Sequence, residues 1–282
     1  MKKIVAFFLA ATLSAALFTG CGEQADTSST GSGDASTTAA LSGTVKLSGS
    51  TSMEKISKAL AERFSEKHSG VAVDVQLGGS SVGVQDAQSG KSDIGNVSRE
   101  LKDTETGLTA NKIAIDGIAV IVNKDNKVEG LTKDQLIKIY TGEISNWKDV
   151  GGADQKITVI GREASSGTRG AFEEILKVED KCQYAQEKTE TGAVKTAVQT
   201  TPAAIGYVSL EAVDDSIRTL KLDGVAPEVD KIKDGSYALA RPFIMATKEG
   251  ETLRPEVQAF LDFVLSDEGQ KICTDNALIS VK

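Results

Sequence analysis

Three stretches combine glycine with hydroxyl side chains: Gly49-Ser50-Thr51-Ser52-Met53, Gly78-Gly79-Ser80-Ser81-Val82-Gly83 and Gly161-Arg162-Glu163-Ala164-Ser165-Ser166-Gly167-Thr168-Arg169. Each follows a strand-like run and precedes a helix-like one. The first turn of a helix leaves its N–H groups unpaired and carries partial positive charge, so the oxygens of an anion can take the place of the missing acceptors. Glycine lets the backbone come close, and the hydroxyls add donors. One such stretch alone is an N-cap and a turn. Three in one chain, two of them near arginines, point to a site for a small oxyanion. Arg162 and Arg99 are the cations expected to face it, because a guanidinium offers two parallel N–H bonds to two oxygens of one anion. Arg169 is a weaker third. Each has a plainer role open to it: Arg99 can pair with Glu100, and Arg169 can be a solvated helix residue.

Other chemistries find less support in the residues. Ser52-Met53-Glu54-Lys55 spells the S-x-x-K of a class of serine hydrolases, but neither S-D-N nor K-T-G follows. The stretch from Gly161 to Thr168 has one residue too many for a nucleotide-binding P-loop and carries Thr168 where the lysine belongs. His68 is the one histidine, set before Gly70 at a helix end where it suits the C-terminal dipole. Cys182 and Cys273 show no ligand spacing and are expected to be unpaired. No transition-metal site, no cofactor and no catalytic residue are expected. Trp147 is the single tryptophan, too few aromatic faces for a sugar cleft, and is expected to pack locally.

The elements that must position the three loops alternate in a βαβ rhythm. Strands are predicted at Thr44–Leu47, Val71–Leu77, Ser92–Asn96, Ile113–Val122, Ile157–Ile160 and Ile205–Ser209. Helices are predicted at Ser52–Lys67, Lys133–Thr141, Thr168–Leu176, Ala193–Thr200 and Pro255–Leu265, with a short one ending near Gly90. The Asp116-Gly117 interruption suits a strand leaving one sheet for another, and Arg241-Pro242 suits a return. The expected division is one lobe from 41–116 and 241–282 and a second from 117–240.

Ahead of this body, Lys2 and Lys3 precede an uncharged apolar run, Ile4 to Leu17, too short to span a bilayer and typical of an export leader. Phe18-Thr19-Gly20-Cys21 closes it and resembles a bacterial lipoprotein signal. That resemblance implies a leader over 1–20, a diacylglyceryl thioether on Cys21 and anchoring to the outer face of the cell membrane. Residues 21–40 are mostly Ser, Thr, Gly, Ala and Asp, a tether with a reach of roughly 25 Å. The net charge of −8 becomes two units more negative once Lys2 and Lys3 are removed, which disfavours nucleic acid as a partner. An acidic protein must hold an anion through local dipoles and a few aimed cations.

Together, Gly-Ser-Thr-Ser near the start of the body, Gly-Gly-Ser-Ser, Ser92-Asp93-Ile94-Gly95 followed by Ser98-Arg99-Glu100, and Arg-Glu-Ala-Ser-Ser-Gly-Thr-Arg occur in the order found in one family. The chain resembles the phosphate-binding lipoproteins of Pst-type ABC importers, and Tyr140-Thr141-Gly142-Glu143-Ile144-Ser145-Asn146-Trp147 extends the likeness into the second lobe. The resemblance implies a two-lobed α/β fold of the type II periplasmic-binding-protein kind, hinged on two crossing segments. It implies high-affinity capture of inorganic phosphate by a monomer that serves the membrane permease and ATPase of an importer. By position, Thr51, Ser52, Ser80, Arg162, Ser166, Gly167 and Thr168 match the family's ligand contacts. Where the best-known branch has an aspartate that takes the phosphate proton, this chain has Ser98, followed by Arg99. Loss of that acid lowers the penalty against sulfate, so another tetrahedral oxyanion (molybdate, tungstate or sulfate) is the alternative ligand.

Overall fold

The computed structural model describes residues 40–282; the leader, Cys21 and nearly all of the tether lie outside the described residues. From the first described residues the chain forms β1 (Gly43–Gly49), a 3₁₀ turn (Thr51–Met53), α1 (Glu54–Lys67), β2 (Val71–Leu77), α2 (Ser80–Ser89), β3 (Ile94–Val97) and β4 (Leu108–Val122). It continues through β5 (Gly130–Leu131), α3 (Lys133–Tyr140), β6 (Thr158–Arg162), α4 (Gly167–Leu176), β7 (Gln186–Lys188), α5 (Thr191–Thr200) and β8 (Ala204–Ser209). Last come β9 (Arg218–Thr219), β10 (Lys221–Leu222), α6 (Val229–Lys233), β11 (Ala240–Lys248), α7 (Pro255–Val264) and α8 (Asp267–Asp275).

Nine strands make one curled sheet in the order β2-β1-β3-β11-β4-β8-β6-β7, with β9 also on β4. Its two ends are parallel, β1 with β2 and β3, and β6 with β7 and β8. The middle is antiparallel: β11 pairs with β3 and with the first part of β4, and β4 alone continues to β8. Period-two alternation layers each end. In β4, Ile118, Val120 and Val122 enter a core with α3 and α4 residues such as Leu136, Tyr140 and Phe172, while Ala119 and Ile121 face Val194 and Val198 of α5. In β11, Phe243 and Met245 join Ile56, Leu60 and Phe64 of α1 and Phe260 of α7, whereas Ile244 and Ala246 meet Val84 of α2. The cores thus change between Ala114 and Ile118 on one strand and between Leu239 and Phe243 on the other. Two lobes result, closed on one another, so residues 40–282 form one compact unit.

Most elements fall where periodicity places them, and the exceptions are physical. β4 does not break at Asp116-Gly117; it runs through and exchanges partners, β11 up to Gly117 and β8 from Ile118. The Ile232 side chain of α6 packs over Gly117, where a Cβ would stand 2.3 Å from its Cδ1. Pro242 is likewise no turning point but lies inside β11, opposite Ile115. Its missing N–H costs nothing, since Ile115 exchanges both backbone bonds with Ile279, each 2.9 Å long. Three further places follow their expected structural roles. His68 caps α1 and lies 4.5 Å from the Phe64 ring, Trp147 is buried with Nε1 donating to the Ala203 carbonyl, and Cys182 and Cys273 are free.

Candidate anion-binding site

Four helix starts meet between the lobes. From the first lobe come the 3₁₀ turn at Thr51, which runs into α1, and α2, entered through Gly79 at φ +86°. From the second come α4, beginning at Gly167, and α5, beginning at Thr191. The turn at Thr51, α2 and α5 carry no side-chain cap, whereas α3 and α8 are capped by Thr132 and Ser266. Uncapped starts keep their N–H donors for another acceptor. Ser166 caps α4 by accepting from Arg169 N at 3.3 Å.

Between these starts lies a buried chain of hydroxyls. Ser50 Oγ donates to Ser98 Oγ at 2.7 Å and lies 3.0 Å from Ser52 Oγ; Ser80 Oγ is 3.2 Å from Ser98 Oγ and accepts from Ser98 N. Gly167 comes up against this chain from the other lobe: a Cβ there would be 2.1 Å from Ser80 Oγ and 2.7 Å from Ser98 Oγ. Only glycine permits that approach. Across the cleft, Ser81 N donates to the Ser165 carbonyl at 3.1 Å and Thr191 N donates to Thr51 Oγ1 at 3.3 Å.

Arg162, 2 % exposed, is the dominant charge. Its Nε and Nη2 donate to the Lys188 and Thr189 carbonyls, Nη1 to Thr191 Oγ1, and Nη2 also to Thr51 Oγ1 at 2.9 Å. Among the described residues no carboxylate pairs with it. Burial, and the neighbouring Arg241, pull its guanidinium down to about 10. A buried unpaired cation costs several kcal/mol, and an anion at the cleft relieves that cost. Thr168 adds a second signal: its Oγ1 is buried without a hydrogen-bond partner, in a position where most such groups are satisfied.

The other two arginines, unlike Arg162, have carboxylate partners. Arg99 forms a two-pronged pair with Glu105, both bonds 2.7 Å, and Nη1 also donates to the Glu100 carbonyl. Burial alone would push the Glu105 carboxyl up, but the Arg99 fork outweighs it and holds the carboxyl below the usual range. Arg169 pairs with Glu173 and Glu187, lies over the Tyr184 ring, and donates to the Arg162 carbonyl, bracing the end of β6. Arg99 and Arg169 instead border a cavity of about 520 Å³ on the outer side of the cleft with Glu100, Asp103, Glu174 and Glu179. Ser52 has no base beside it: its Oγ meets Ser50 and Arg241, while exposed Lys55 reaches the Glu211 carbonyl at 3.4 Å.

This geometry has relatives. The family profile described as "PBP superfamily domain" matches residues 34–268. The phosphate-binding protein PstS of Bacillus subtilis is 36 % identical over 270 residues, which cover 93 % of this chain and 88 % of that one. The chain belongs to the PstS family of phosphate-binding proteins. Within the family, a Clostridium perfringens ABC transporter substrate-binding protein solved with bound phosphate superposes with a TM-score of 0.81 at 43 % identity, covering 85 % of this chain and all of that one. An ABC-type phosphate transport receptor from Vibrio cholerae gives 0.70 at 35 %, covering 83 % and 99 %.

Four residues at the site escaped the sequence reading. Thr191 sits at the uncapped start of α5 and touches both Arg162 and Thr51. Arg241 donates to Ser52 Oγ at 3.2 Å and to the Ser98 carbonyl at 2.9 Å, and its Nε and Nη2 hold Asp116 at 3.0 and 2.8 Å. Asp116 also accepts from Ser209 Oγ at 2.8 Å. Glu211 is buried with Oε2 unpartnered, and burial, then Asp116, raises its carboxyl well above the ordinary value. A signal existed for two of them. Asp116 and Arg241 are single charges inside apolar strand runs, and a charge so placed must be paired.

Proposed function

We propose that this chain captures inorganic phosphate outside the membrane, without making or breaking a bond, and delivers it to the permease and ATPase of an ABC importer. One observation carries the reading: a buried guanidinium with no carboxylate partner, Arg162, set among uncapped helix starts from both lobes. In this reading the donors are Thr51, Ser52, Ser80 and Ser98 from one lobe and Arg162, Ser166, Gly167 and Thr168 from the other, with Arg99 outside the set. The lobes divide as 41–116 with 241–282, and 117–240, and the anion bridges them. Closure removes water and strengthens each charge-assisted bond. The names of the B. subtilis and V. cholerae relatives and the phosphate bound in the C. perfringens structure support phosphate as the ligand.

Lipidation of Cys21 completes the proposal by holding a monomer at the outer face of the membrane; Cys21→Ser would release the protein into the medium. Calorimetric titration of the anion-free protein with phosphate, arsenate, sulfate and molybdate tests the ligand. Phosphate and arsenate should bind one to one, with sulfate weaker. Ser98 in the place of an acid favours a second reading, another tetrahedral oxyanion, and heat from sulfate or molybdate alone would select it.

A further inference from the structure

We propose that Arg241 is a positioning residue of the anion site and that Asp116 is the counter-charge that limits how tightly the site holds its anion. The two face each other in register where β11 and β4 pass between the lobes. Both are buried, with the Arg241 side chain 1 % and the Asp116 side chain 0 % exposed. A buried ion pair of this kind adds little to stability, because desolvation offsets the attraction. Its bonds indicate another use. Arg241 holds the Ser98 carbonyl and Ser52 Oγ, both on loops of the first lobe that face the anion, while Asp116 takes the hydroxyl of Ser209 at the end of β8 in the second lobe. A polar chain therefore runs from the anion loops through both crossing strands into the opposite lobe.

The charges around the pair settle the sign of the effect. Arg162 lies close enough for Arg241 to depress it, and Glu211, with Lys55 and Glu54 beyond it, faces Asp116 and Arg241. An arriving anion is attracted by Arg162 and Arg241 and repelled by Asp116. Asparagine at 116 keeps an acceptor for Arg241 and Ser209 but removes the repulsion, and it leaves Arg241 uncompensated until the anion arrives. The same change must therefore weaken the ligand-free protein and tighten binding. A merely structural pair predicts that both suffer.

The inference rests on the anion-binding reading, and the experiment separates the two. Phosphate affinity is measured by calorimetry, and the ligand-free Tm by thermal unfolding, for wild type, Asp116→Asn, Arg241→Gln and Arg241→Lys. The expected result is a lower ligand-free Tm with about tenfold tighter phosphate binding for Asp116→Asn, the scale of one charge roughly 12 Å away at an effective dielectric of about 20. Arg241→Gln should bind at least tenfold more weakly, and Arg241→Lys, which keeps the charge and loses the fork, should fall between Arg241→Gln and wild type. If Asp116→Asn weakens binding as Arg241→Gln does, or if Arg241→Lys is as weak as Arg241→Gln, the inference is overturned. Should Asp116→Asn fail to fold, the lysine variant alone decides. Absence of phosphate binding by wild type would instead sink the function proposed above.

Discussion

Replacing Gly167 with alanine tests the closed site through one methyl group. The position is the first of α4 and outside the left-handed region, so alanine suits the local backbone. The new Cβ would meet Ser80 Oγ at 2.1 Å and Ser80 Cβ at 2.8 Å. Rotating the serine hydroxyl relieves the first contact, but nothing short of moving α4 from α2 relieves the second. Carbon atoms settle at about 3.5 Å, so the lobes must part by roughly 0.7 Å. The bonds from Arg162 Nη2 to Thr51 Oγ1, 2.9 Å, and from Ser81 N to the Ser165 carbonyl, 3.1 Å, would then pass beyond useful length. One is charge-assisted and one neutral, together worth roughly 2–4 kcal/mol, or about 30- to 1,000-fold in Kd. Calorimetry with phosphate should show that loss while the ligand-free Tm stays level or rises. Wild-type affinity in Gly167→Ala would refute the claim that Gly167 and Ser80 meet around the ligand.

Other changes separate binding from folding. Arg162→Ala should weaken phosphate by roughly 3–5 kcal/mol, since it removes a charge and several donors together, and equilibrium dialysis with labelled phosphate would detect this. Thr168→Val should leave the ligand-free protein as stable or about 1 kcal/mol more so, because the hydroxyl has no partner to lose; calorimetry should show phosphate binding roughly tenfold weaker. Glu211 has its folded-state pKa raised above 4.5 by burial, so the folded protein holds that proton longer than the unfolded chain does. Its stabilising effect is complete at low pH and is lost as pH rises through the raised value. Thermal unfolding from pH 4 to 9 should show this decline in wild type and a flatter profile in Glu211→Gln.

The residues alone determined the βαβ rhythm and the three loops and put Arg162 among the candidate cations, because helix and strand periodicity and helix-start chemistry are local properties. The run from Ser166 to Thr168 was readable for the same reason: a cap, a glycine and a hydroxyl at a helix start carry their chemistry wherever the helix lies. Only the tertiary structure decided which arginines find carboxylate partners. In sequence Arg99 is a candidate cation and Arg241 only the mark of a return crossing, but Glu105 folds back over the first, while register between β4 and β11 sets the second against Asp116 beside Ser52 and Ser98. Thr191 was hidden similarly, since its meeting with Thr51 spans 140 positions. Side-chain charge is written in the sequence, but the partner that neutralises it or leaves it free is chosen by packing.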